Sequence, residues 1–113
     1  MKINRTTFND KQWKEIVLGL RHGLSIKQVL TYAQADFSAE QMYQIRNAYE
    51  DGLREEQVLI FANPQHSVYR MRILCQAIKS GAQTWELNRL LLADESMQLG
   101  MMYNRMRMGR RYA

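Results

Sequence analysis

The chain is predicted to be all-α: a short right- or left-handed α-helical repeat array of three helix pairs with a 29-residue period, closed by a C-terminal capping helix. Three observations predict this. First, FNDKQWKEIVLGLRHGLSIKQVLTYAQAD (8–36) returns as FSAEQMYQIRNAYEDGLREEQVLIFANPQ (37–65). Phe8 matches Phe37, Gln12 matches Gln41, Ile16 matches Ile45, and Gly23-Leu24 matches Gly52-Leu53. Second, each copy carries a helix-start signal and a helix-stop signal at the same separation. Third, no segment sustains period-two alternation, while the helix formers Ala, Leu, Gln, Met and Arg are common. Continuing the frame gives a third copy, 66–94, and an incomplete fourth, 95–113, within a single domain spanning 1–113.

The first helix of each copy opens at repeat position 2, which holds Asn9, Ser38, Ser67 and Ser96. All four are good N-caps, and Asn9 with Gln12, like Ser38 with Gln41, has capping-box spacing. The helix halts at position 16, which holds Gly23, Gly52 and Gly81, because glycine enters the left-handed conformation without a Cβ penalty. Its buried face is Trp13, Ile16, Val17 and Leu20 in the first copy. The second has Met42, Ile45, Arg46 and Tyr49, and the third Met71, Leu74, Cys75 and Ile78. This is the i, i+3, i+4, i+7 stripe of an amphipathic helix, with one arginine in it. Small residues recur at position 12, as Gly19, Ala48 and Ala77, where a neighbouring helix can come close.

A shorter second helix follows each glycine. Its apolar residues are Val29, Leu30, Tyr32 and Ala33, then Val58, Leu59, Phe61 and Ala62, then Leu87, Leu90 and Leu91. Asn63-Pro64 ends the second copy, since proline lacks an amide hydrogen and restrains its predecessor. The fourth copy slips one residue early: its stripe is Leu99, Met102, Tyr103 and Met106, and its stop is Gly109. It has no second helix, as suits the atypical end that closes a repeat array.

Totals narrow the function classes. A chain of 113 residues, 46% hydrophobic, is one globular domain with a modest core. No apolar run approaches the roughly 18 residues of a membrane span, and MKINRTTFND lacks a signal-peptide core. The single cysteine, Cys75, cannot close an internal disulfide. A cytoplasmic protein without a membrane partner is expected. The net charge of +5 is uneven: residues 37–65 hold five acids and two bases, while every other stretch is positive. Basic ends flank an acidic middle, which does not make a continuous track for nucleic-acid phosphates.

The pattern carried by Phe37, Gln41, Met42, Ile45, Arg46, Gly52, Leu53, Phe61 and Ala62 resembles a short helical repeat of proteins from Gram-positive gut bacteria, often on plasmids, phages and integrative elements. The first copy departs from it with Trp13 for methionine and Val17 for arginine, and the third keeps only Ser67, Met71 and Gly81. The resemblance implies an accessory, non-catalytic protein of mobile DNA and transfers no active site.

The chemistry-bearing residues agree with that expectation. His22, His66 and Cys75 lack zinc-ligand spacing, and Cys75 lies on an apolar stripe where thiols are inert. No catalytic residue, metal, cofactor or small-molecule substrate is indicated. Glu50, Asp51, Glu55 and Glu56 cluster around the Gly52 turn, as a solvated face or an acidic contact for a basic partner. Arg46 either edges the core, paired with a carboxylate, or contacts a ligand in the groove of the array. The tail sets Arg105, Arg107, Arg110 and Arg111 among Met108, Tyr112 and other methionines. Flexible methionines beside arginines suit an adaptable protein interface, whereas arginines with tyrosines suit phosphates and bases. The leading expectation is a binding protein that docks on a host protein or nucleoprotein, with an anti-CRISPR-like inhibitor of a defence nuclease as its particular form. The alternative is direct DNA or RNA binding through the basic termini.

Overall fold

The computed structural model describes residues 3–94 and 97–112, with the backbone alone for Met97, Gln98 and residues 107–112. A single 3-10 turn, Arg5–Thr7, precedes α1 (Asp10–Arg21), α2 (Ile26–Tyr32), α3 (Ala39–Glu50), α4 (Glu55–Val58), α5 (Val68–Lys79), α6 (Thr84–Leu92) and α7 (Met97–Tyr112). Every regular element among the described residues is helical.

Helices α1, α3 and α5 are each 12 residues long because their end signals are alike. Asn9, Ser38 and Ser67 accept the amide three residues on, and capping boxes with Gln12 and Gln41 close reciprocally on the first two. At the other end Gly23, Gly52 and Gly81 have φ of 94°, 96° and 85°. That left-handed step lets Leu24, Leu53 and Ala82 donate back to Gly19, Ala48 and Ala77 at 3.0–3.1 Å, the closing bond of a Schellman stop.

The same capping residues also fasten one helix pair to the next. Gln12 Nε2 donates to the Phe37 carbonyl at 2.7 Å and the Ala35 carbonyl at 3.3 Å. Gln41 Nε2 likewise reaches His66 at 2.7 Å and Pro64 at 3.0 Å. At the equivalent place Arg70, which is buried, donates to the carbonyls of Leu90, Leu91 and Ala93. Its longer side chain reaches the end of α6, whose last carbonyls lack helical partners.

The helices pack in two rows. α1, α3, α5 and α7 lie side by side, each against the next; α2 sits on α1 and α3, α4 on α3, and α6 on α5 and α7. The molecule measures 47 × 26 × 18 Å. Between the rows Tyr32, Phe37, Met42, Ile45, Phe61, Met71, Leu74, Leu90 and Leu99 are fully buried. Gly19 allows the closest approach: a Cβ there would lie 2.1 Å from the Tyr32 hydroxyl, which donates to the Glu15 carbonyl at 2.8 Å.

Three expectations need correction. Leu20 is 41% exposed, and Trp13 and Val17 are only partly buried, because α1 begins the row. Among the described residues no α-helix packs on its outer side; Phe8 and Arg5 pack on Trp13 instead. The second helix of the middle copy, α4, is a single turn. Bonds from Ile60 and Phe61 back to Gln57 and Val58 tighten the chain there, well before Pro64, and turn Leu59 outward to 56% exposure. α7 runs through Gly109 to Tyr112, so this glycine does not stop it. The N-cap expected at Ser96 lies outside the described residues.

Candidate partner-binding face

Arg46 sits where α1 meets α3 and is 6% exposed. Its Nε donates to Glu15 Oε2 at 2.8 Å and its Nη1 to Glu50 Oε2 at 2.7 Å. His22 Nδ1 lies 3.0 Å from the same Glu50 oxygen. Burial opposes the charge on Arg46, but the hydrogen bonds to Glu15 and Glu50 outweigh it and hold the guanidinium above its usual range. Burial likewise pushes Glu50 up, and the bonds from Arg46 and His22 overcome this and hold its carboxyl below the usual carboxylate range. Arg46 is therefore a brace between two helices; its charge is engaged by carboxylates inside the chain.

The acidic cluster is engaged as well. Besides Glu50, Asp51 pairs with Lys79, Glu55 with Lys27 at 3.3 Å, and Glu56 with Arg54 at 3.2 Å. Three of these contacts, His22–Glu50, Lys27–Glu55 and Asp51–Lys79, join residues 28 apart in sequence. The negative middle stretch is thus complementary to the positive stretches beside it. Exposed pairs of this kind contribute at most about 1 kcal/mol each.

Burial pushes the Cys75 thiol up, away from a reactive thiolate. Among the described residues no three His, Cys, Asp or Glu side chains are grouped to hold a metal ion. No helix described is long and apolar enough to cross a membrane. Of the tail residues, Arg105 is exposed on α7; the side chains of Arg107, Met108, Arg110, Arg111 and Tyr112 lie outside the described residues.

The feature that sequence reasoning missed lies on the outer face of the first row. An open groove of about 430 Å³ runs across α1, α3 and the start of α5, lined by Lys11, Lys14, Ala39, Tyr43, Gln44 and Val68 together with the acids Glu15 and Glu40. Tyr43 is 44% exposed. Further along the row Tyr69 and Arg72 stand together, the guanidinium 5.8 Å from the ring centre. The signal was present in the 29-residue frame: Lys14, Tyr43 and Arg72 share one repeat position, and Lys11, Glu40 and Tyr69 another. Neither belongs to an apolar stripe, so both point outward from the same side of successive helices.

Comparison of the chain with protein-family models, with curated proteins and with solved structures found no match in any of the three.

Proposed function

We propose that the chain is a short helical-repeat array, with copies at 8–36, 37–65 and 66–94 and a capping helix, that acts as a non-catalytic docking protein for a protein or nucleoprotein in the cytoplasm. The observation that carries this reading is the row of α1, α3, α5 and α7, which spreads side chains of successive helices over one extended face. Helical arrays use such surfaces to hold other macromolecules. Arg46 and the carboxylates Glu50, Asp51 and Glu55, the groups best suited to chemistry, are engaged in joining helices. The resemblance to repeats of bacterial mobile elements gives the reading its particular form, an inhibitor of a host defence nuclease of the anti-CRISPR kind.

Affinity capture from lysate of Gram-positive gut bacteria, with and without nuclease treatment, tests it. A specific protein retained after nuclease supports docking; recovery of nucleic acid alone, lost on nuclease treatment, sinks it. Direct nucleic-acid binding is the second reading, favoured by the exposed bases Lys11, Lys14 and Arg105 and by the arginines of the tail. It requires binding to random DNA or RNA that weakens steeply with salt, and a shallower salt slope in Arg110→Ala/Arg111→Ala.

A further inference from the structure

We propose that the groove across α1, α3 and α5 seats an acidic segment of the partner protein, with one apolar side chain in the groove and carboxylates on Lys11 and Lys14; the inference rests on the docking reading above. Charge is the first argument. Among the described residues neither lysine has a carboxylate within ion-pair distance, whereas most acids of the first two copies are paired. Glu15 lines the groove too, but its carboxylate is held by Arg46. Among the described residues Glu40 is the one lining carboxylate outside these pairs, so the charge left for a partner is two lysines against one glutamate, a positive balance, and two lysines one helical turn apart match two carboxylates of one chain.

Shape is the second. Beside the charged residues and Gln44 the lining is apolar: Ala39, Val68 and the exposed ring of Tyr43. That combination fits an anchor side chain with acidic flanks, since interface energy concentrates where a tyrosine-lined pocket is filled and charges stand at its rim. A nucleic-acid strand fits less well. The stacking surfaces are partly taken, because Arg46 lies 5.2 Å from the Tyr43 ring centre and Arg72 covers Tyr69.

The test uses the full chain, isotope-labelled for amide NMR. It is titrated with a dodecapeptide of alternating Asp and Glu around a central Phe. The comparison probes are the same peptide with Ser for Phe, the same peptide with Lys for every acid, and a mixed-sequence single-stranded DNA dodecamer. The Phe peptide is expected to shift the amides of Lys11, Lys14, Ala39 and Tyr43. Its affinity is expected to fall about tenfold in Lys11→Glu/Lys14→Glu and several-fold when Ser replaces Phe. Both side chains are exposed and outside the core, so the fold is expected to be retained. Lys11→Ala/Lys14→Ala, checked by circular dichroism, provides a second variant. The proposal is overturned if those amides do not move, if the variants bind equally well, if the Lys peptide binds as tightly, or if the DNA occupies the groove at lower concentration. A captured protein partner that ignores Lys11→Glu/Lys14→Glu overturns the groove while leaving the docking reading in place.

Discussion

Removing the Arg46 guanidinium would leave Glu15 and Glu50 facing one another across a mostly desolvated gap. Their side chains are 14% and 22% exposed, so neither is fully rescued by water. Breaking a buried pair by deleting one partner costs about 3–5 kcal/mol, and the partial exposure here sets Arg46→Ala near the lower end, about 3 kcal/mol. Arg46→Lys is expected to recover only part of that, because an ammonium on a flexible stem does not span two carboxylates as a planar fork does. Urea unfolding of the two variants measures both. Glu50 adds a pH dependence. Its carboxyl is held below the usual range when folded, so near pH 4 the unfolded chain binds more protons than the folded one. Its stabilising contribution is therefore complete above the unfolded pKa of about 4.3 and is lost as pH falls through the folded value. Glu50→Gln is expected to flatten the acid limb of a plot of urea midpoint against pH; an unchanged limb would show that the cluster does not set it.

The interface between a first helix and its partner helix depends on how closely two backbones approach. At Gly19 a methyl group would lie 2.1 Å from the Tyr32 hydroxyl and 3.3 Å from Val29. Gly19→Ala is thus expected to destabilise by about 1–3 kcal/mol despite its better helix propensity. Tyr32→Phe removes the obstructing oxygen at the cost of one hydrogen bond, about 1 kcal/mol. The double variant is expected to be more stable than the sum of the two single losses, which a double-mutant cycle reads directly. Elements were legible wherever a backbone signal set them. Asn9, Ser38, Ser67 and the three glycines determined where α1, α3 and α5 begin and end, because caps and left-handed stops act locally. Burial was legible where a stripe had neighbours on both sides, as in α3 and α5. It failed at Leu20 because nothing local says that α1 stands first in the row, and at Leu59 because α4 tightens after one turn. The ionic brace was half visible: Arg46 stood out as a charge in an apolar stripe, but Glu15 and His22 become its neighbours only through packing across more than 20 residues of chain. The groove was invisible to periodicity, since exposed positions carry no hydrophobic signal.

On the scale of the whole molecule, α7 is the closing element. Leu99 and Tyr103 are buried, and Met102 and Met106 pack on the core beside them. Deleting residues 95–113 is expected to uncover the apolar side of α5 and α6 that these residues cover. Dye binding should then rise, unfolding should become less cooperative, and the truncated chain should aggregate. A soluble truncation with a sharp transition would show that α7 is dispensable to the fold. The 28-residue contacts have a further consequence at this scale, on the repeat reading. Lengthening the chain by duplicating its middle unit would be disfavoured at the new junction. A tandem copy of 37–65 would set the equivalent of Asp51 against that of Glu50, and Glu56 against Glu55. It would also offer Gln44 where Arg46 now finds Glu15. Like charges would face each other at both exposed junctions and the brace would lose one acid. On that reading, the differences in charge between the units give each a preferred place in the order and oppose growth by a second middle unit.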